Sequence, residues 1–312
     1  MRALKEQLNC ELHVLTKKQY ATISENNPNV DVVHLFEKST SEISKKLKKE
    51  NFDFIVDLQK NIRSHRIVKA LNAPFASFPK LNIEKWLLVN FKINTLPEKH
   101  IVERYFEAVS SLGVKNDGKG LEYFYPEKEK INPTIIDKSL ENGFVSWVIG
   151  GQHFTKIMPA EKVASIISKL KISIVLLGGE DDKKRGDEII KLAGNKSVFN
   201  VCGRFSLNGS ASIVEQSKLV ITNDTGLMHI AAAFKKPIIS LWGNTVPEFG
   251  MYPYLPEREN KFVISEMKDL KCRPCSKLGF TKCPKKHFEC MLGQDEEFIV
   301  EKVAEFTNSN LG

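Results

Sequence analysis

The pattern of apolar and polar positions predicts strands and helices that alternate along most of the chain. Short apolar runs bounded by Gly, Pro and polar residues are typical of buried strands, and apolar residues three or four positions apart are typical of helices. Strands are predicted at 11–16, 52–58, 144–149, 172–177, 198–201, 219–222 and 237–242, and helices at 159–170, 182–193, 210–216 and 226–234. This alternation predicts an α/β fold in which a parallel sheet carries helices on both faces.

A charged, turn-rich segment at 127–133 (EKEKINP) is interpreted as a linker. We therefore expect an N-terminal domain at 1–133 and a C-terminal domain at 134–312 that closes with a helix at 295–306. Open parallel sheets bind ligands beyond the carboxyl ends of their strands, where the strand order switches. The residues that follow each strand of the second domain are therefore the first candidates for a functional site.

Composition and charge narrow the class of protein. The 312 residues are 42% hydrophobic and 27% charged, which is typical of a soluble globular protein. No apolar run approaches the roughly 18 residues of a membrane-spanning helix, and the start has no signal-peptide core, so we expect a cytoplasmic protein. The net charge of +8 favours anionic partners, unless the excess Lys is only solvated surface. No Arg/Gly-rich tail or helix-turn-helix signature supports nucleic acid as that partner.

Polar residues follow two neighbouring strands at 150–159 and 178–182. Thr155 offers a hydroxyl and Lys156 a mobile charge suited to phosphate, although this stretch also fits an ordinary connection between strand and helix. Glu180 can accept hydrogen bonds from the two hydroxyls of a ribose, or it can belong to an acidic cap of the next helix together with Asp182. For Asp182 we favour the capping role.

The turn after the strand at 219–222 is the strongest candidate. Asp224 is expected to be the N-cap of an Ala-rich helix, and the first N–H groups of that helix, with the Thr225 hydroxyl, would form an anion site. Gly226 would let a diphosphate approach the backbone closely. His229 lies one turn into the helix, where a histidine is usually structural but is also well placed to contact a phosphate.

The stretch at 220–243, VITNDTGLMHIAAAFKKPIISLWG, closely resembles the signature of glycosyltransferase family 9, the ADP-heptose:lipopolysaccharide heptosyltransferases. The segments at 155–159, 178–180, 52–66 and 102–113 are also similar to family segments, so the resemblance covers nearly the whole chain. It implies the GT-B architecture, in which two Rossmann-like domains face each other across a cleft. It also implies transfer of heptose from ADP-heptose to a lipopolysaccharide core acceptor with inversion at the anomeric carbon, and no nucleotide-bound metal cofactor.

The resemblance also implies roles for individual residues. Thr155 and Lys156 would contact the diphosphate or the sugar of the donor, and Glu180 would hold its ribose. Asp224, Thr225 and Gly226 would line the phosphate and heptose pocket, with His229 close by. Three basic residues of the first domain would face an anionic lipid-linked acceptor, unless each is merely solvated surface: Lys60, Arg63 and Arg66. The protein would then contact the inner face of the inner membrane peripherally.

The start of the chain departs from the family pattern. Family members begin with a strand and a Gly-containing loop whose acidic residue is thought to act as the general base, whereas residues 1–7 resemble the helix after that loop. We therefore expect the first strand of the first sheet to be missing, and we name no catalytic residue. Either the start codon lies upstream of Met1, which we favour, or the chain is a truncated product. A chain without that base could be a non-catalytic nucleotide-sugar-binding protein.

The insert at 272–290 contains four cysteines, Cys272, Cys275, Cys283 and Cys290, interleaved with Lys and Arg. Nearby cations lower the pKa of a thiol, and four thiolates suit a structural zinc ion, with His287 as a substitute ligand. The uneven spacing lies outside the common zinc-ribbon patterns. Reduced structural thiols and a redox-labile pair therefore stay open beside the zinc site.

Overall fold

A computed structural model of the chain describes residues 1–37, 39–194, 197–256 and 261–308. The chain divides into two compact units: unit 1 is Met1–Asn82 with Pro97–Gly118, and unit 2 is Ile83–Leu96 with Lys119–Gly312. This division does not coincide with the predicted boundary near residue 133, because residues 119–133 pack on unit 2. The backbone N–H of Ile131, for example, donates to the hydroxyl of Ser212 over 2.9 Å.

The strands of unit 1 are short and parallel. They are β1 (His13–Lys17), β2 (Val32–Phe36), β3 (Ile55–Asp57) and β4 (Phe75–Ser77). The helices beside them in the described residues are α1 (Arg2–Leu8), α2 (Ala21–Glu25), α3 (Thr40–Leu47), α4 (Ile62–Leu71) and α6 (Ile101–Glu107). Within the described residues, β1 pairs only with β2 and β3 only with β4, so unit 1 has two separate two-stranded sheets.

Side-chain caps explain where two helices of unit 1 begin. The Ser39 hydroxyl accepts the backbone N–H of Glu42 at the start of α3. At the start of α4, the Asn61 side chain accepts the N–H of Arg63 and Ser64, and the Ser64 hydroxyl accepts the N–H of Asn61. Such caps stabilise a helix end by about 1 kcal/mol.

The described part of unit 2 contains six strands in one fully parallel sheet. They are β5 (Phe144–Val148), β6 (Ser173–Leu177), β7 (Val198–Asn200), β8 (Leu219–Asn223), β9 (Ile238–Trp242) and β10 (Phe262–Glu266). Its helices are α5 (Asn82–Phe91), α7 (Ala160–Ser168), α8 (Lys183–Ala193), α9 (Leu207–Gln216), α10 (Gly226–Ala233), α11 (Glu289–Leu292) and α12 (Glu296–Asn308). The five strands predicted for this half are confirmed, and α9 begins earlier than predicted because Ser206 caps it.

Apolar side chains cover both faces of the sheet of unit 2, which is why its strands read as continuous apolar runs. On one face, Val145 and Trp147 of β5 belong to a core with residues of α7 and α12, such as Ile167 and Ile299. On the other face, Phe144 and Val148 belong to a core with residues of α9 and α10. Burying each large aliphatic side chain stabilises the folded state by roughly 1.5–3 kcal/mol. The sheet therefore holds the loops at its edge in fixed positions.

The strand order in the sheet of unit 2 is β10-β9-β8-β5-β6-β7. From β5 the chain proceeds outward through β6 and β7, and from β8 it proceeds outward in the other direction through β9 and β10. The order therefore reverses between β5 and β8. The loops that follow these two strands lie side by side at the carboxyl edge, which is where doubly wound sheets bind ligands. Within the described residues, no helix has both the length and the hydropathy needed to cross a membrane.

Candidate functional site

An ion pair joins the loops that follow β5 and β8. The ammonium of Lys156 lies 2.5 Å from Oδ2 of Asp224, and both side chains are largely buried. The hydroxyl of Thr245, in the loop after β9, donates to the same carboxylate oxygen over 3.2 Å. Three neighbouring strand ends thus meet at one carboxylate. Oδ1 of Asp224 makes no hydrogen bond with the described residues, so this oxygen is available to a ligand.

The helix that follows β8 begins differently from the prediction. Thr225, and not Asp224, is the N-cap residue of α10, and its side chain accepts no capping hydrogen bond from the first turn. The prediction of Asp224 as N-cap was wrong because its carboxylate pairs with Lys156 instead. The exposed Gly226 has no heavy atom within 4 Å of the position that a Cβ would occupy. A helix start of this kind carries a partial positive charge and is accessible to an anion.

His229 lies in α10, one turn from the Lys156–Asp224 pair. Burial lowers the pKa of its imidazole, the Asp224 carboxylate acts in the opposite direction, and the Lys156 ammonium lowers the pKa further. The side chain is partly exposed. A neutral imidazole near neutral pH can donate or accept one hydrogen bond at the site.

The two acidic residues of the loop after β6, Glu180 and Asp182, have different surroundings. The buried carboxylate of Asp182 accepts the N–H of Gly179 over 3.0 Å and pairs with Arg185 over 2.8 Å, as expected for a cap. Glu180 is exposed, and its carboxylate lies against Gly203, which follows β7. Glu180 therefore stays accessible at the carboxyl edge, on the β6 side of the site.

Thr155 is in a single turn of 3-10 helix (Phe154–Lys156) and is only 1% exposed. Its hydroxyl accepts the N–H of Phe280 over 2.8 Å and lies 3.3 Å from the Phe280 carbonyl oxygen. Its carbonyl oxygen accepts the N–H of Asn244 over 3.3 Å. In this structure Thr155 fastens the loop after β5 to neighbouring segments, whereas Lys156 presents the charge.

Sequence reasoning did not single out two polar residues that shape the site. Asn223 at the end of β8 is fully buried, and its amide donates to the carbonyl oxygens of Val148 and Gly150 over 3.3 and 3.1 Å. These bonds hold the loop after β5 next to the loop after β8. Thr245 is 1% exposed and reaches Asp224 as described above. The only signal in the sequence was that both residues are polar and follow apolar strands.

The basic residues predicted to face an acceptor lie in unit 1. Lys60, Arg63 and Arg66 are exposed at the start of α4 and in the turn before it. Asp57 at the end of β3 shapes that turn, because its carboxylate accepts the N–H of Lys60 and the hydroxyl of Ser64, both over 2.8 Å. The Lys60 ammonium donates to the Phe78 carbonyl oxygen over 3.0 Å. The two guanidinium groups make no hydrogen bond with the described residues, so they present the free charge of this segment.

The predicted zinc site is not supported. Among the described residues, no group of three or more His, Cys, Asp or Glu side chains is arranged to hold a metal ion. Cys290 is buried in the apolar core of unit 2, where burial raises the pKa of its thiol to about 12, and burial raises the pKa of Cys275 to about 11. For Cys275 and Cys290 the expectation that nearby cations would favour thiolates was wrong, because the desolvation of these two thiols outweighs the neighbouring charges. Cys272 has its sulfur 3.8 Å from Nε2 of His287, and Cys283 is half-buried.

Solved structures resemble the whole chain. The structure of Escherichia coli ADP-heptose lps heptosyltransferase II has a TM-score of 0.70 at 16% sequence identity and covers 98% of this chain and 92% of its own. The E. coli heptosyltransferase WaaC with ADP has a TM-score of 0.65 at 19% identity, covering 98% and 93%. At these identities the likeness shows the fold, which is that of the GT-B class of glycosyltransferases.

The family follows from the sequence match. The model described as Glycosyltransferase family 9 (heptosyltransferase) matches residues 40–280, and the chain belongs to this family. The lipooligosaccharide heptosyltransferase 2 of Haemophilus influenzae is 31% identical over 121 residues, which are 38% of this chain. The matched segment spans only 34% of that curated relative.

Proposed function

We propose that the protein is a glycosyltransferase that moves heptose from ADP-heptose to a lipopolysaccharide core acceptor, with inversion at the anomeric carbon. The observation that carries the proposal is the meeting of Lys156, Asp224 and the uncapped start of α10 at the point where the strand order reverses. The membership in family 9 and the ADP named for one structural neighbour support the same donor.

The charges of the donor-binding residues suggest which part of the donor each one contacts. A diphosphate is attracted by the Lys156 ammonium and by the N–H groups at Thr225 and Gly226, and it is repelled by a carboxylate. We therefore assign Lys156 and the helix start to the diphosphate, and Oδ1 of Asp224 to a sugar hydroxyl. His229 would contact the diphosphate or the sugar from the first turn of α10.

The remaining donor contacts follow from their places at the carboxyl edge. The exposed carboxylate of Glu180 is suited to accept hydrogen bonds from both hydroxyls of the ribose. Thr155 would act on the donor only indirectly, by holding the loop that carries Lys156, since its hydroxyl and its backbone are engaged with Phe280 and Asn244. The proposed transfer uses no metal bound to the nucleotide.

In the proposed reaction, an acceptor hydroxyl oxygen forms a bond to the anomeric carbon while the bond from that carbon to the diphosphate breaks. ADP leaves with the electron pair, and the hydroxyl proton passes to a base that we do not assign to a residue. The cationic Arg63 and Arg66 would attract an anionic acceptor. A cytoplasmic location at the inner membrane follows from such an acceptor.

Peripheral contact with that membrane is proposed for the exposed apolar side of α5. Ile83, Trp86 and Phe91 are 72%, 51% and 59% exposed in this helix. Exposed apolar side chains on a helix, Trp in particular, are typical of surfaces that lie on a bilayer. Sedimentation with vesicles of anionic lipid should fall for Trp86→Ser, and unchanged sedimentation would reject this surface.

A second candidate is a nucleotide-sugar-binding protein without transferase activity. Such a protein would need no base to activate an acceptor hydroxyl. Both candidates predict binding of ADP-heptose, and only the transferase predicts turnover.

The test is calorimetric titration with ADP, ADP-heptose and UDP, followed by a transfer assay on a heptose-deficient lipopolysaccharide acceptor. We expect ADP-heptose and ADP to bind and UDP to bind much more weakly. Full ADP-heptose affinity in a folded Asp224→Ala variant would reject the site, and binding without transfer would select the second candidate. Asp181→Ala, which changes an exposed carboxylate on the loop after β6, is the matched control.

A further inference from the structure

The Cys-rich insert, residues 272–290, packs against the loops that form the donor site. Arg273 reaches the loop after β9, and the Cys275 N–H donates to the Asn244 carbonyl oxygen over 3.0 Å. Phe280 exchanges hydrogen bonds with Thr155 in the loop after β5. The insert is thus held at three points to two strand-end loops and constrains the shape of the site. These contacts do not involve the Lys156 ammonium or the Asp224 carboxylate.

Of the insert residues that contact these loops, Arg273 makes the most hydrogen bonds. Its side chain is nearly inaccessible, and it pairs with Glu266 over 2.9 Å. The same guanidinium donates to the carbonyl oxygens of Gly243, Thr245 and Met267 over 2.5, 2.9 and 2.6 Å. A buried cation is tolerated only when it is fully paired, and the planar donor geometry of a guanidinium fixes the directions of its acceptors. Arg273 therefore sets the path of the backbone at 243–245.

Thr245 carries this constraint to the donor site. Its carbonyl oxygen is held by Arg273, while its hydroxyl donates to Oδ2 of Asp224 over 3.2 Å. Lys156 binds the same oxygen. Two donors on Oδ2 restrict the rotation of the carboxylate and leave Oδ1 without a partner among the described residues. The arrangement selects one carboxylate orientation before any ligand binds.

We propose that Thr245 and Arg273 are positioning residues, which orient Asp224 to accept a hydroxyl of the sugar of a nucleoside diphosphate sugar. The proposal rests on the donor site proposed above and adds residues that do not touch the donor. It assigns the Cys-rich insert the role of supporting that site. Because Asp224 faces the sugar and Lys156 the diphosphate, the effect is specific to the sugar part of the donor.

The first test compares Thr245→Val with Thr245→Ser in the full chain, by calorimetric titration with ADP-heptose and with ADP. Valine keeps the shape and the backbone contact to Arg273 but loses the hydroxyl. Removing a hydrogen bond to a charged group weakens binding by about tenfold, so we expect that loss for ADP-heptose. We expect the ADP affinity of Thr245→Val to stay within about twofold, because ADP has no sugar hydroxyl that contacts Asp224. We expect Thr245→Ser to keep the affinity for ADP-heptose, because serine retains the hydroxyl that donates to Asp224.

A double-mutant cycle with Asp224→Ala shows whether the effect passes through Asp224, because alanine removes both carboxylate oxygens. The effect of Thr245→Val on ADP-heptose binding should nearly vanish in the Asp224→Ala background. An equal effect in both backgrounds, an equal loss for ADP and ADP-heptose, or no loss in Thr245→Val would each overturn the positioning role. If Asp224→Ala itself leaves ADP-heptose binding intact, the donor-site assignment fails as well. If only Thr245→Val is without effect, the donor site stands and the positioning role alone is lost.

Arg273→Lys tests the contact between Arg273 and the backbone of Thr245. Lysine keeps the charge beside Glu266 but cannot bind four acceptors in the guanidinium geometry. A folded variant should lose ADP-heptose affinity selectively, as Thr245→Val does, and should show no further loss when combined with it. Additive losses would mean that Arg273 acts by another route. Should Arg273→Lys fail to fold, the Thr245 pair still decides the proposal.

Discussion

The six strands of unit 2 form one sheet that is covered on both faces, whereas the four strands of unit 1 form two separate pairs. In unit 2 the strand ends are fixed relative to one another by a buried sheet, so side chains from three loops can meet at one carboxylate. In unit 1 the cores are small, and the cationic residues are presented on a single turn and helix. A multi-residue site needs several strand ends held in register, and only unit 2 provides them among the described residues.

The largest expected difference between the units concerns their cores. Ile221→Ala in β8 removes a fully buried side chain and should lower the free energy of unfolding by about 2–5 kcal/mol. Ile55→Ala in β3 removes a half-buried side chain and should cost less than half as much. All three tryptophans, Trp86, Trp147 and Trp242, are in unit 2, so tryptophan fluorescence in urea reports that unit and circular dichroism reports both. Equal losses for the two variants would contradict the comparison.

The next largest expected effect is the loss of ADP affinity when the charge of Lys156 is removed. Lys156→Ala should weaken ADP binding about 10- to 100-fold, because a charge-assisted contact to the diphosphate is lost and Asp224 is left without its cation. Calorimetric titration measures the change. Lys171→Ala, an exposed lysine outside the strand-end loops, is the matched control and should bind ADP normally. Equal affinity in Lys156→Ala and the control would remove Lys156 from the site.

Helix caps allow the same change to be made in both units. Asn61→Ala at the start of α4 and Ser206→Ala at the start of α9 should each cost about 1 kcal/mol of unfolding free energy. The loss for Asn61→Ala should appear in circular dichroism and not in tryptophan fluorescence, whereas the loss for Ser206→Ala should appear in both. A fluorescence midpoint that moves equally in both variants would mean that the units unfold together.

The smallest expected effect is the pH dependence of stability. Burial lowers the pKa of His34 in unit 1 and of His229 in unit 2 below the ordinary value of 6.5. The unfolded chain therefore binds protons first as the pH falls, so stability is complete above about pH 6.5 and declines as the pH falls through the lower folded-state values. Urea unfolding followed by tryptophan fluorescence between pH 7.5 and 5.5 should show this decline. His229→Gln should reduce it, and an unchanged profile would argue against a lowered pKa of His229 in the folded state.

The sequence predicted most of unit 2 because its strands are buried on both faces and therefore read as continuous apolar runs. It also indicated which strand ends carry polar groups, including Lys156 and Asp224. It did not predict that these two side chains pair, since that contact depends on the order of strands in the sheet. The capping role of Asp224 was wrong for the same reason: a local pattern favoured the cap, and a distant lysine competes for the carboxylate.

Other features had weak or misleading local signals. The strands β2, β4 and β10 and the helix α5, among other elements, were not predicted, because their apolar patterns are short or lie on exposed faces. The cysteine spacing resembled a metal site, but burial keeps Cys290 in the core. The role of Arg273 was also unreadable, since a lysine-rich stretch gives no sign that one of its cations is buried. In each case the decisive information is tertiary.

The separate sheets of unit 1 also bear on how the protein behaves at high concentration. Each strand of a two-stranded sheet has an edge with unpaired N–H and C=O groups, and such edges are templates for pairing with other chains. The described part of unit 1 therefore has strand edges along β1, β2, β3 and β4, while the edge strands in the described part of unit 2 are β7 and β10. The net charge of +8 opposes self-association through mutual repulsion. Added salt screens that repulsion, so association through unit 1 should increase with ionic strength.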